Sequence, residues 1–175
     1  MALKLLHGHL VQDASARRRL QREIAAAARL EHEGLLLARE LLELDGQLGL
    51  VLPLHPGHTL SEEVRLHGAL PPDQVRRLGL RLAEALGSAH RAGLLHRDLS
   101  GRNVMVDARG APVLTDFGLA RLQEGGTGGS TALIGTTGFV APEVLAGQPA
   151  DPRSDLDGLG AVMYLAATAA CAGWA

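Results

Sequence analysis

Sixteen of the seventeen basic residues in this chain are arginine, and the seventeenth is Lys4. Lysine offers a compact ammonium on a flexible stem, whereas arginine brings a wide planar fork. In a sequence that otherwise chooses arginine, Lys4 marks a position where a point charge is wanted. Three more groups have types and spacing suited to chemistry. His96-Arg97-Asp98-Leu99-Ser100-Gly101-Arg102-Asn103 sets a carboxylate and a carboxamide five residues apart. Asp116-Phe117-Gly118 begins 116 − 103 = 13 residues after Asn103, and Ala141-Pro142-Glu143 follows beyond a glycine-rich tract. Carboxylate and amide oxygens can take a proton or hold a hard cation, and an ammonium can meet an anion.

These groups lie far apart in sequence, so the elements between them must bring them together. Met1 to Leu6 is short and apolar around Lys4, which predicts a strand passing through a core. A helix follows from Asp13 as N-cap, with Leu20, Ile24, Ala27 and Ala28 at three- and four-residue spacing. Leu35–Leu44 and Gln47–Leu54 read as a hairpin around Asp45-Gly46, and Pro53 and Pro56 stop its second strand. Thr59 with Glu62 predicts a capping box, and Pro71-Pro72 opens a longer helix. That helix buries Val75, Leu78, Leu82, Ala85, Leu86 and Ala89 and stops at Gly93. Two short strands, Asn103–Val106 and Val113–Thr115, join through a turn at Asp107–Gly110. Gly125–Thr131 reads as a flexible loop, and a buried helix closes the chain.

Composition narrows the function. Seventeen basic against nineteen acidic residues give a net charge of −2, so no overall positive field holds nucleic acid or an anionic membrane. Four aromatics are too few for the stacking platforms that bind single strands. One cysteine, Cys171, builds neither an internal disulfide nor a cysteine zinc site and suits a reducing compartment. The N-terminus lacks a signal-peptide pattern, and Leu159–Ala175 falls short of the roughly 20 apolar residues that span a bilayer. A cytoplasmic location is the expectation.

The octapeptide matches the pattern H-R-D-L-x-x-x-N, and with Asp-Phe-Gly and Ala-Pro-Glu in this order the chain resembles the protein kinase family, specifically bacterial serine/threonine kinases. The resemblance implies an α+β fold of two lobes, with residues 1–55 the strand-rich front lobe and 56–175 the helical rear lobe. It implies ATP and Mg²⁺ as cofactors and protein serine or threonine hydroxyls as acceptors. In Met1-Ala2-Leu3-Lys4, Lys4 would meet the α- and β-phosphates, held by Glu23 on the first helix. Asp98 would orient the acceptor hydroxyl and accept its proton, and Asn103 and Asp116 would hold the metal. Leu52 stands at the gatekeeper position. Pro53 to His55 form the hinge for adenine, where main-chain groups work and the His55 side chain is solvated, and Met105 completes the nucleotide set. His96, Arg97, Phe117, Glu143 and Asp155 take structural roles. Asp155 ties the catalytic loop to the last helix and is also a candidate N-cap of that helix. Thr127, Ser130, Thr131 and Thr136 belong to the activation loop, where Arg97 and Arg121 would receive a phosphate. Gly135-Thr136 through Ala141-Pro142-Glu143 carries the serine/threonine preference.

The chain also departs from that pattern. Ser100 stands where a lysine usually assists the γ-phosphate, and Asp157 where an apolar residue is common. Only three residues precede Lys4, and no G-x-G-x-x-G occurs in the sequence. The expectation is an incomplete domain: a front lobe short of its first two strands, a rear lobe ending at the central helix, and an exposed strand edge open to self-association. Glu143 would lack the arginine that pairs with it. Upstream DNA is expected to encode the glycine loop. The alternative is a catalytically silent kinase fragment or pseudokinase acting as a protein-interaction module.

Overall fold

The computed structural model describes residues 1–6, 14–28, 30–44, 47–117 and 141–170. Strand β1 (Ala2–Leu5) is followed by helix α1 (Ala14–Ala27), then β2 (Leu35–Leu36), β3 (Glu40–Leu44) and β4 (Gln47–Leu52). Next come β5 (Gly57–Thr59), α2 (Leu60–His67), α3 (Pro72–Arg91), β6 (Val104–Asp107) and β7 (Pro112–Thr115). After these stand α4 (Pro142–Leu145) and α5 (Pro152–Thr168).

One sheet has the order β1-β4-β3, antiparallel throughout, with Lys4 opposite Leu50 and Leu44 opposite Gln47. Leu48, Leu50 and Leu52 of β4 pack with Leu20 and Ile24 of α1 into a small core. Directly paired residues share a sheet face, so Lys4 points to the side that α1 covers. The other face holds Leu3 and Leu5 over Gly49, where an added Cβ would stand 2.8 Å from Leu3 Cδ1. Because β1 is the last strand on its side among the described residues, Leu3 and Leu5 are half exposed. Met1–Leu6 is therefore an edge strand and does not pass through a core.

The second sheet runs β2-β7-β6-β5, with β2 parallel to β7 and the other pairs antiparallel. Here the run Leu35–Leu44 divides. Three successive leucines, Leu35–Leu37, have no period-two alternation to hold them in one strand. Leu35–Leu36 joins β7, while only Glu40–Leu44 forms the hairpin with β4. Strand β5, which the two prolines hide in the sequence, pairs Gly57–Thr59 with Met105–Asp107. Ala28 lies exposed in the turn past α1, so it leaves the buried stripe.

Beneath this sheet lies the larger core, formed by Leu60 and Val64 of α2, the leucines of α3, Val104, Val106 and Leu114, and Leu159, Val162, Leu165 and Ala166 of α5. Thr59 and Glu62 form the capping box of α2, and the proline pair opens α3. Helix α5 starts at a capping box of Asp151 and Ser154. Its N-cap is thus Asp151; Asp155 lies one turn inside, free for another task. Its small residues permit close packing: a Cβ on Gly158 would stand 2.9 Å from Leu99 Cβ. Among the described residues no helix is long and apolar enough to cross a membrane.

Candidate active site

Lys4 reaches from β1 to Asp116, which follows β7, and its Nζ lies 2.7 Å from Asp116 Oδ2. Residues 116 − 4 = 112 positions apart thus share one ion pair. The Glu23 side chain lies outside the described part of α1, although α1 packs on the sheet face toward which Lys4 points.

The loop after α3 brings up the rest. Asn103 Nδ2 donates to the Asp98 carbonyl at 2.7 Å and to Asp98 Oδ2 at 3.1 Å. The amide nitrogen is committed to Asp98, so Asn103 Oδ1 is the side-chain oxygen left to meet a ligand. Amide and carboxylate oxygens are the kind of donor a hard divalent cation takes; among the described residues no group of three or more His, Cys, Asp or Glu forms a metal site. Asp98 itself is exposed.

Arg97 and Asp116 both hold positive φ, 68° and 67°, conformations that side-chain-bearing residues adopt at a cost of roughly 1–3 kcal/mol and keep only when their surroundings impose them. Asp155 imposes the first. Its carboxylate is buried and accepts from His96 N at 2.9 Å through Oδ2, from Arg97 N at 2.8 Å through Oδ1, and meets His90 Nε2 at 2.8 Å. His96 imposes the second. Its Nε2 donates to the Thr115 carbonyl at 2.8 Å, and its ring lies against Phe117 with centroids 4.6 Å apart. Burial pushes the His96 imidazole below its ordinary value of 6.5, so it is neutral, with the proton on Nε2 and Nδ1 accepting from Asp98 N–H at 3.4 Å.

Leu52 is buried at the end of β4, with Pro53 beside it. His55 is partly solvated, but its Nδ1 is buried and has no hydrogen-bond partner among the described residues. Gly57 makes the space for the ring, since a Cβ there would stand 2.9 Å from Nδ1 and 2.2 Å from the Val106 carbonyl. Met105 on β6 is half-buried opposite Val113. Ser100 is buried next to Gly101, whose carbonyl accepts from Ser61 N at 2.9 Å. Glu143 is not without a partner, because Ser154 Oγ donates to it at 2.6 Å. Asp157 is exposed on α5, where a charge is well solvated. Thr127, Ser130, Thr131, Thr136 and Arg121 lie outside the described residues.

Sequence reasoning passed over three contributors. His90 carries no motif signal beyond its place at the end of α3. Thr115 acts through its carbonyl and Ser154 through a hydroxyl in a capping position, neither of which a side-chain pattern exposes.

A family description, "Protein kinase domain", matches residues 1–171. The probable serine/threonine-protein kinase CE0033 of Corynebacterium efficiens is 34% identical over 173 residues, covering 94% of this chain and 26% of that protein. Serine/threonine-protein kinase PkaA of Streptomyces coelicolor is 35% identical over 168 residues, covering 94% of this chain and 31% of that protein. Among solved structures, the Mycobacterium tuberculosis PknI kinase domain superposes with a TM-score of 0.74 at 29% identity, over 98% of this chain and 66% of that domain. The chain thus spans about a quarter to a third of the length of these two curated relatives.

Proposed function

This chain belongs to the protein kinase family, and we propose that it acts as a serine/threonine protein kinase, moving the γ-phosphoryl group of ATP to a protein hydroxyl with Mg²⁺ bound. The observation that carries this reading is two short pairs, 2.7 Å between Lys4 and Asp116 and 3.1 Å between Asn103 and Asp98, tied to each other where Thr115 N–H, one residue before Asp116, donates to the Asn103 carbonyl at 3.0 Å. Phosphoryl transfer asks the protein chiefly to position the reactants and neutralise charge. Lys4 binds phosphate oxygens, with Glu23 on α1 as the carboxylate that holds it. Asn103 and Asp116 supply oxygen ligands to the cation, which when bound neutralises charge between phosphate oxygens. Asp98 orients the acceptor hydroxyl and takes its proton. The Pro53 carbonyl and the His55 main chain receive adenine beside Met105. In this reading residues 1–55 and 56–175 are the two lobes, Thr127, Ser130, Thr131 and Thr136 lie on the activation loop, and the single cysteine suits a cytoplasmic setting.

A second reading, a silent fragment or pseudokinase, draws on Ser100. A buried serine supplies no cation for the transferred phosphate. In that reading the half-exposed Leu3 and Leu5 at the edge of β1 serve self-association.

Transfer of labelled phosphate from MgATP to a basic protein acceptor separates the readings. The kinase reading requires transfer that Asp98→Ala abolishes while nucleotide binding persists; MgATP binding without transfer supports the silent one.

A further inference from the structure

The loop that carries Asp98 also carries an exposed cation. Asn103 N donates to the Ser100 carbonyl at 3.0 Å, closing a turn whose two corner residues are Gly101 and Arg102. At Gly101 there is no room for a side chain, since a Cβ would stand 2.5 Å from Leu165 Cδ2 and 2.6 Å from Ser61 Oγ. Arg102 is the side chain that the corner presents, and it is exposed. The same turn delivers Asn103 to the Asp98 carboxylate at 3.1 Å. We propose that Arg102 is a specificity-determining residue that takes an acidic side chain close to the acceptor hydroxyl, an inference that rests on the kinase reading.

The carboxylates nearby sharpen the preference. The turn adjoins the start of α2, where Ser61 N donates to the Gly101 carbonyl at 2.9 Å, and Glu62 and Glu63 follow Ser61. Left free, these two would attract a basic acceptor. Both already meet their own chain: Glu62 Oε2 accepts from Thr59 N and from Thr59 Oγ1 at 2.8 Å each, and Glu63 Oε2 lies 2.5 Å from His58 Nε2 and 3.3 Å from His67 Nδ1. Asp116 is held by Lys4, and Asp155 is buried. The ion pairs among the described residues leave Arg102 out. Its planar fork is therefore available to an incoming carboxylate, which it can meet through two parallel hydrogen bonds. Arg102 stands 102 − 98 = 4 residues from Asp98 in a closed turn, so the acidic residue it reads lies within a few residues of the acceptor.

Three serine peptides, alike except for Asp, Ala or Arg in the residues flanking the serine, test this on the 175-residue chain by NMR titration and by transfer of labelled phosphate from MgATP. Wild type is expected to bind the Asp peptide about tenfold more tightly than the Arg peptide, through the attraction of one exposed pair and the repulsion of its like-charged counterpart, and to phosphorylate it with about tenfold higher kcat/KM. A basic acceptor is slower but not silent. Arg102→Ala is expected to bring the three peptides within about twofold of one another, and Arg102→Glu to put the Arg peptide first. No binding of the Asp peptide, equal affinity for all three in wild type, or an Asp preference that survives in Arg102→Ala overturns the proposal. The titration needs no transfer. A wild type that binds the Asp peptide first but phosphorylates none of the three defeats the kinase reading alone, whereas transfer without an Asp preference defeats the role of Arg102 alone.

Discussion

Lys4 Nζ and Asp116 Oδ2 lie 2.7 Å apart although one residue comes from the edge strand β1 and the other follows β7. The pair is partly open to solvent, 44% and 18% exposed, so screening keeps its worth to folding below about 1 kcal/mol. In the kinase reading its value is functional, each charge holding the other where phosphate and cation would arrive. Lys4→Met is therefore expected to shift the unfolding midpoint slightly yet weaken MgATP binding roughly tenfold, the loss of one charge-assisted contact. Calorimetric titration checks both, with chelation as the control for Asp116. Equal affinity in wild type and Lys4→Met would place the nucleotide elsewhere.

His96 links stability to pH. Its imidazole is buried and holds its proton less readily than in the unfolded chain, where the ordinary value is 6.5. As pH falls below that value the unfolded state takes up a proton that the folded state refuses, so stability drops; it is fully present above about 6.5. The slope for one proton reaches at most about 1.4 kcal/mol per pH unit. Urea unfolding between pH 7.5 and 5.5 is expected to show a steeper loss in wild type than in His96→Asn, and equal slopes would contradict a neutral buried ring.

Much of this is legible in the sequence. The capping box of Thr59 and Glu62, the proline start of α3 and the buried stripe Leu78, Leu82, Ala85, Leu86 and Ala89 are local signals, and local signals survive folding. The chemistry-bearing residues stand in a fixed order that the family resemblance reads directly. What the sequence hid is non-local. Leu35–Leu36 leaves the hairpin because its partner is Leu114–Thr115, about eighty residues away, and β5 exists only because β6 is there to pair with it. His55 Nδ1 loses solvent to a space that Gly57 leaves, while the residue stays partly exposed. His90 and Ser154 act on Asp155 and Glu143 across different elements, which no spacing within one element predicts.

Two glycines give opposite expectations. A Cβ on Gly101 would stand 2.5 Å from Leu165 Cδ2 and 2.6 Å from Ser61 Oγ, so Gly101→Ala overpacks the seam between the catalytic loop, α2 and α5. The expected cost is about 1–3 kcal/mol. Gly160 sits in the interior of α5 with nothing within 4 Å of an added Cβ. Gly160→Ala is expected to stabilise by about 0.5–1 kcal/mol, the helix preference of alanine over glycine. Chemical denaturation of the two variants beside wild type reads the difference directly, and a stabilised Gly101→Ala would refute the close packing.

Asn103 tests whether Asp98 is held or merely nearby. Its Nδ2 gives two hydrogen bonds to Asp98, at 2.7 Å to the carbonyl and 3.1 Å to the carboxylate. Asn103→Ala removes both and leaves the Asp98 carbonyl unmet in a half-buried place. Asn103→Asp is nearly the same shape but replaces the donor with a carboxylate facing two oxygens. At neutral pH like charges in contact cost more than a missing bond. Asn103→Asp is therefore expected to be the less stable of the two at pH 7, and to recover relative to Asn103→Ala on acidification, as one carboxyl takes a proton and becomes a donor again. Urea midpoints for both variants at pH 7 and pH 5 check the crossover. The same midpoints measured with MgATP added separate orientation from metal binding: both variants lose the Asn103 oxygen or its placement, so neither should gain the nucleotide stabilisation that wild type shows. If Asn103→Asp equals wild type at pH 7, Nδ2 does not restrain Asp98, and the acceptor-orienting role assigned to Asp98 loses its structural support.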